Sequence, residues 1–459
     1  MGRPTKVEGN PEHPASLGAT GVLAQASILQ LYDPDRSQTV TQFGEIRSWS
    51  AFLSEMREAL QRFKANKGAG LRILTETVTS PTLHDQLRRL LAEFPAAKWH
   101  QYEPVNRDSV RQGAQLAFGT NVATRYDFEK ANVVVSLDAD FLSAGPGRLR
   151  YTRDFTASRK VRGSQHEMNR LYVVESTPSN TGAMADHRLP LRAAEIEAFA
   201  LALAAELGVS WPLPAPSTTA GSAWIAPLTR DLKRHPGASL IIAGEQQPPL
   251  VHALVHATNQ ALGNVERTLR YTEPVEANPI QQTESLRELV SDMQAGSVET
   301  LFVLGGNPAF TAPADLGFVD ALAKVRLRVH LSLYQDETSA LCHWHIPGAH
   351  FLESWSDCRA YDGTVTILQP LIAPLYGGKT AHEMLASLTS QPDQSSYEIV
   401  RGYWQQPYAG APSRSSKAAV PQASAAFEQF WRKSLHDGVV TGTALPPKSV
   451  TLAGRPALP

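Results

Sequence analysis

Residues Thr300–Phe310 read TLFVLGGNPAF. The run Leu301 to Leu304 is strand-like, and Gly305, Gly306, Asn307 and Pro308 end it in a turn. A helix-like stretch, Leu316 to Lys324, follows, and then a second strand-like run, RLRVHLSL, from Arg326. Strand, glycine turn, helix and strand in that order predict a βαβ unit of a parallel sheet. Open parallel sheets bind ligands beyond the carboxyl ends of their strands, so the turn itself is a candidate site. Glycine lets a backbone approach a ligand closely, and Asn307 offers both a donor and an acceptor, which suits an anion or nucleotide cradle. A plain βα turn is the competing reading.

The same alternation extends in both directions. Upstream lie SLIIAGE at Ser239 and a helix-like Pro249 to Leu262, and downstream TVTILQP at Thr364. An earlier block repeats the pattern with LRILTET at Leu71, Thr82 to Glu93, KWHQYE at Lys98, Ser109 to Phe118, NVVVSLD at Asn132 and LYVVES at Leu171. Before it, Arg47 to Phe63 places Trp49, Phe52, Leu53, Met56 and Leu60 at helical spacing. The expected fold is therefore α/β, with two doubly wound, mostly parallel Rossmann-like sheets. Its expected divisions are 1–66, 67–212, 213–390 and 391–459, with the proline- and serine-rich Trp211–Trp224 as the seam. Beyond about Ser390 the sequence reads as loop, with one helix from Ala426 and a proline-rich tail.

The chain has 459 residues, 42% hydrophobic and 19% charged, enough for two to four domains with buried cores. A formal charge of −1 gives no pull toward nucleic acid or an anionic membrane. No run approaches the roughly 20 apolar residues that cross a bilayer. Cys342 and Cys358 are the sole cysteines and allow at most one disulfide.

Two other strand ends carry polar groups: Asp138-Ala-Asp140 after Val133 to Leu137, and Glu175-Ser-Thr-Pro-Ser-Asn-Thr181 after Leu171 to Val174. Cys342, His343, His345, His350 and Cys358 are soft or borderline metal ligands in type, but their spacing fits no zinc, haem or cluster signature, and a hydrogen-bonded, partly buried loop is the preferred reading. There is no G-x-S-x-G elbow, Walker lysine loop or H-E-x-x-H, so no catalytic residue and no metal ligand is assigned. The basic stretch Arg148 to Arg170 reads as a solvated or partner-facing loop suited to protein docking.

Five strings occur in one order: GRPTKVEGNPEHP (Gly2–Pro14), LYDPDR from Leu31, AMADHRLP from Ala183, LGGNPAF from Leu304 and ETSALCHWHIP from Glu337. In this order and spacing the chain resembles the molybdopterin oxidoreductases of the dimethyl sulfoxide reductase type over nearly its whole length. The segment Glu337–Glu383 resembles most the molybdopterin-like iron–sulfur subunit of alternative complex III, a bacterial quinol-oxidising respiratory complex. The resemblance makes residues 1–66 the edge of a cluster-binding domain, yet Ser16 to Arg36 holds no cysteine, and cluster ligation needs thiolates. Because Met1 falls inside a family motif, a shortened chain lacking both ends is expected.

The resemblance also implies a degenerate pterin site built from Asp138, Asp140, Glu175, Thr181, Asp186, Gly305, Gly306, Asn307, Glu337 and Thr338. Where the family places Gly-x-Asn, this chain has Asp138-Ala-Asp140; where it places Asp-Pro-Arg, it has Glu175-Ser-Thr; and His343 replaces an aspartate. Carboxylates facing a pyrophosphate repel it, and a lost arginine removes a compensating cation. Asp186 keeps its family position. The expectation is a non-catalytic scaffold that binds no cofactor itself, with iron–sulfur clusters elsewhere in the complex. Its expected partners are iron–sulfur, haem and quinol-binding subunits on the periplasmic side of the inner membrane. The alternative is an oxidoreductase subunit holding molybdopterin guanine dinucleotide. A free-standing nucleotide-binding module is a third reading, weakened by the lack of G-x-G-x-x-G.

Overall fold

The structure, a computed structural model, describes residues 3–161, 167–209, 220–408 and 424–453. Its strands are β1 (Thr41–Gln42), β2 (Glu45–Ile46), β3 (Leu71–Thr75), β4 (Lys98–Gln101), β5 (Ala123–Tyr126), β6 (Val133–Leu137), β7 (Arg170–Glu175) and β8 (His187–Pro190). These are followed by β9 (Ser239–Ala243), β10 (Leu269–Thr272), β11 (Thr300–Leu304), β12 (Leu327–Ser332), β13 (Trp344–Pro347), β14 (Ser356–Arg359) and β15 (Val365–Leu368).

Two sheets carry the architecture. The larger runs β2-β1-β13-β12-β11-β3-β4, parallel from β13 to β4, with an antiparallel β1–β2 hairpin at one edge. The smaller runs β8-β7-β6-β9 and is parallel throughout. Both are covered on two faces, which is why their central strands are unbroken apolar runs. One face of the larger sheet packs Phe52, Met56 and Phe63 of helix Trp49–Ala65 with Leu87 and Leu90 of helix Pro81–Glu93. The other packs Leu286, Leu289 and Met293 of helix Gln282–Gln294. Helices Ala193–Glu206, Ser222–Arg234 and Pro249–Ala261 cover one face of the smaller sheet, and an aromatic cluster of Phe128, Phe141, Tyr151 and Phe155 covers the other.

The sheets do not divide where the sequence divides. β3, with β4 at its other side, pairs with β11, some 200 residues later, and so joins the sheet of β11–β13, while β6 to β9 form the other sheet between them. The expected boundary at 212–213 is thus corrected: the four-stranded unit is inserted into the seven-stranded one. Adjacent alternating blocks look self-contained in sequence because partner choice between parallel strands leaves no local trace. The seam Trp211–Trp224 lies mostly outside the described residues, as do parts of the basic stretch and of the C-terminal tail.

Three further differences have local causes. TVTILQP pairs antiparallel with β14 in a separate hairpin and joins neither sheet. Past Ser390, helices Ser396–Gln405 and Ala425–Asp437 enclose a fifth core of Val365, Ile367, Val400, Phe427 and Trp431. Arg148–Ala157 is a helix, and two of its arginines bond to the chain's own N-terminal segment. Arg150 donates to the Pro14 carbonyl at 3.1 Å and Arg153 to that of Leu17 at 2.9 Å, so they cap turns of the N-terminal segment.

Candidate functional site

The predicted residues fall into two groups, one on each sheet. On the seven-stranded sheet, Gly305 and Gly306 follow β11 with φ of 83° and 69°, a left-handed backbone that glycine alone adopts without strain. Asn307 donates to Glu337 at 2.6 Å, and its Oδ1 accepts from the Thr338 hydroxyl at 2.8 Å and backbone N–H at 3.2 Å. Thr338 in turn accepts from the Ala309 N–H at 3.0 Å. The glycine turn is therefore stitched to the turn after β12. The approach to it is acidic: a Cβ on Gly305 would meet Glu76 Oε2 at 3.0 Å. The packing around Glu76, and then the Glu103 carboxylate, push its carboxyl above the ordinary range.

Beneath this turn runs a buried polar chain. The Gly306 carbonyl contacts His330 Nε2 at 3.0 Å, His330 Nδ1 the Ser339 hydroxyl at 2.9 Å, that hydroxyl His345 Nδ1 at 2.9 Å, and His345 Nε2 the Ser37 hydroxyl at 2.6 Å. Burial lowers both imidazoles, His345 to about 4. They serve as neutral cross-links of β12, β13 and the N-terminal segment. His343 accepts from the Arg328 N–H at 3.0 Å, and His350 caps the turn Phe351–Glu353. Cys342 and Cys358 are free, and burial raises their thiols to about 12 and about 11. Among the described residues no group of three or more His, Cys, Asp or Glu is arranged to hold a metal ion.

On the four-stranded sheet each acid is engaged inside the protein. Asp138, at φ 58°, accepts from the Ser176 N–H at 3.2 Å, from Gln246 at 3.1 Å and from Gln247 at 3.0 Å. Asp140 accepts from the Thr181 hydroxyl at 2.6 Å and N–H at 3.0 Å. Glu175 is buried, takes the Ser179 hydroxyl at 2.6 Å and pairs with Arg188. Its carboxylate fills the space over Gly182, where an added Cβ would stand 1.9 Å from Oε1. Asp186 is held by both terminal nitrogens of Arg159, at 2.7 and 2.9 Å, and by the Leu171 N–H at 2.8 Å. Burial opposes ionisation of Asp186, but these donors outweigh it and lower its carboxyl.

Beside this group lies a cavity of about 530 Å³, where the loop after β4 meets the carboxyl ends of β6 and β9. Of the predicted residues only Asp138 and Asp140 line it. Its walls also include Arg107, Tyr126, Phe141, Tyr151, Glu245, His252 and His256, of which the sequence reading singled out only Tyr151, within the basic stretch Arg148 to Arg170. Arg107 and Glu245 form an ion pair at 2.9 Å. The one sequence signal was VHALVHA at Val251, which sets two histidines four apart in an otherwise apolar stretch of seven residues.

No protein-family model matches the chain. It is 26% identical over 437 residues to the molybdopterin-binding-like subunit of menaquinone reductase from Nitratidesulfovibrio vulgaris, covering 84% of this chain and 61% of that protein. Its fold is similar to that of acetylene hydratase from Pelobacter acetylenicus, with a TM-score of 0.59 at 15% identity, over 83% of this chain and 64% of that one. The chain thus spans about three-fifths of the length of the curated relative it matches. The resemblance read from the motifs stands, and the fold is of the molybdopterin oxidoreductase type.

Proposed function

We propose that this chain is a non-catalytic, molybdopterin-fold subunit that holds redox partners together in a quinone-linked respiratory complex of the alternative complex III kind. The observation that carries this reading is the charge at the strand ends. The motif resemblance assigns Asp138, Asp140, Glu175 and Asp186 on one sheet and Glu337 on the other to the loops that would face a pterin dinucleotide, and Glu76 lies against the Gly305 turn of the second sheet. The nearby cations are already engaged, Arg188 with Glu175, Arg159 with Asp186 and Arg107 with Glu245. A like-charge contact at 4 Å costs roughly 1 kcal/mol in water and about 4 kcal/mol near a protein surface. These residues do not fit molybdopterin guanine dinucleotide, and the buried Cys342 and Cys358 thiols are poor metal ligands.

The surface supports a role in assembly. Helix Val22–Leu31 carries no charged residue, and its Val22, Leu23 and Leu29 are 80%, 76% and 77% exposed. Phe43 and Ile46 of the β1–β2 hairpin are exposed at the edge of the larger sheet. Apolar groups of this kind mark partner sites. No helix among the described residues is long and apolar enough to cross a membrane. The match to a menaquinone reductase subunit supports partners within a quinone-linked complex; on the motif resemblance to alternative complex III we infer that these are iron–sulfur, haem and quinol-binding subunits at the periplasmic face of the inner membrane, whose clusters and haems would carry the electrons.

The test is inductively coupled plasma mass spectrometry for molybdenum and tungsten, together with fluorescence of released pterin, on folded protein isolated in its complex from a molybdenum-replete host. Neither metal nor pterin is expected. Stoichiometric metal with pterin would establish the competing reading, a catalytic subunit that holds molybdopterin guanine dinucleotide.

A further inference from the structure

A depression of about 500 Å³ lies between the β1–β2 hairpin and the loop that joins β12 to β13. Arg328 is the second residue of β12 and His343 stands just before β13, so both line it from the amino ends of their strands. The candidate site lies at the opposite, carboxyl ends. Arg328 donates through Nε to the Leu341 carbonyl at 2.8 Å and through Nη1 to those of Leu322, Ala323 and Val325 at 3.3, 3.2 and 2.9 Å. Its Nη2 meets only His343, and among the described residues no carboxylate pairs with it. His343 Nδ1 accepts from the Arg328 backbone N–H, so Nε2 of the neutral ring carries the proton. Burial, and then the Arg328 charge, keep that ring neutral. Two N–H donors thus stand 3.1 Å apart with no acceptor between them. A carboxylate oxygen is the group that satisfies both.

The rim of the depression is apolar and strained. Phe43 and Gly44 turn the hairpin with φ of 50° and 82°, the two left-handed positions of a two-residue loop that asparagine and glycine favour. Phenylalanine is a poor residue for such a backbone, and here it is also 71% exposed, beside Ile46 at 73%. Its ring meets that of His343 edge on at 5.0 Å, and Leu341, also exposed, lines the same depression. Backbone strain and an exposed large apolar ring both oppose the free chain, and a partner that buries the ring offsets them.

We propose that this depression docks another protein subunit, which seats an apolar side chain against Phe43 and Leu341 and places an aspartate or glutamate carboxylate between Arg328 Nη2 and His343 Nε2. Charge decides among the occupants. One half-buried arginine is not the basic surface that an anionic membrane attracts. A second copy of this chain would bring Asp336 and Glu45, whose carboxylates are already held by Ser339 and Ser332 and by Arg47. A free acid on a different subunit has neither limit, and it fixes the register of the contact. The inference rests on the scaffold reading and adds the chemistry by which one partner is held.

The experiment places the photo-crosslinker p-benzoylphenylalanine at Ile46 in the full chain, assembled in its complex, and identifies the crosslinked peptide by mass spectrometry. A peptide of a different subunit is expected, with an aspartate or glutamate close to the crosslinked position. Phe43→Asn then separates docking from folding. It should raise the urea midpoint of the isolated chain, since asparagine takes the left-handed turn position more readily. Produced beside differently tagged unaltered chain, the same variant should be depleted at least tenfold from the purified complex. Replacing the identified partner acid by its amide should deplete the chain to a similar degree without any change in this protein. Crosslinking to lipid, to a second copy of this chain or to nothing within an intact complex overturns the docking site and leaves the scaffold reading standing. Recovery of the chain with no other subunit overturns both. Full retention of Phe43→Asn, or a loss of stability along with assembly, also overturns the proposal.

Discussion

Arg36 and Glu353 lie 317 positions apart and meet fork on fork, at 2.7 and 3.2 Å, with both side chains 1% exposed. Arg36 also donates to the Leu31 carbonyl at 2.8 Å, so the pair ties the end of helix Val22–Leu31 to the segment after β13. Glu353 further accepts from the Leu375 N–H at 2.9 Å and the His350 N–H at 3.0 Å. Removing one partner strands a buried charge. Glu353→Gln should therefore destabilise the chain by roughly 3–5 kcal/mol, whereas Arg36→Met with Glu353→Leu should recover most of that loss. Urea denaturation of the two variants beside the unaltered chain checks this, and equal losses in the single and double variants would refute it.

Asp138 holds a left-handed backbone at the mouth of the cavity, a conformation that costs a β-carbon roughly 1 kcal/mol. Its side chain repays part of that through Gln246, Gln247 and Ser176. Asp138→Ala loses the hydrogen bonds and keeps the strain, so it should cost about 2 kcal/mol. Asp138→Gly relieves the strain and should cost less than Asp138→Ala, and Asp138→Asn least of all. If alanine proves the best tolerated of the three in denaturant midpoints, the strain argument is wrong.

The strands were legible where their apolar runs were unbroken, as in β6, β9 and β11, because burial on both faces leaves that signature in a single segment. What sequence could not supply was partner choice. Thr75 pairs with Leu304 and Thr272 with Ala123, across distances no local pattern records. The candidate site divides the same way. The turn at Gly305–Asn307 was readable from its glycines, but the cavity was not, since Tyr126, Tyr151 and His252 reach it from three separate elements. The acids at 138, 140, 175 and 186 were readable as acids, but not as groups already satisfied by Thr181, Ser179, Arg188 and Arg159.

Burial raises the Cys342 and Cys358 thiols to about 12 and about 11, which leaves little thiolate at neutral pH. Both should react with Ellman's reagent at least a hundredfold more slowly in the folded chain than in urea. Zinc added in slight excess should leave the melting temperature unchanged, since the two thiols are not part of a ligand cluster. Prompt labelling of either thiol in the folded state would count against this placement.

Burial also sets the acid limit of the fold. It lowers His100, His252 and His345 to about 4 and His256 to about 3, against about 6.5 when unfolded. A depressed folded value means that the unfolded chain binds protons the folded chain refuses. The stability held by each neutral ring is therefore complete above pH 6.5 and is lost as the pH falls toward 4, at up to about 1.4 kcal/mol per unit and ring. Glu76 and Asp154, whose carboxyls burial raises, work in the opposite direction, as two groups against four rings. Urea midpoints should hold steady from pH 8 to 7 and fall steeply between pH 6 and 4.5, with net proton uptake on unfolding. Replacing His256 by Gln keeps a hydrogen-bonding group beside Tyr271, its partner at 3.1 Å, and should flatten the slope by up to one proton even if overall stability drops. A midpoint independent of pH between 7 and 5 would mean that these rings are not held neutral by the fold.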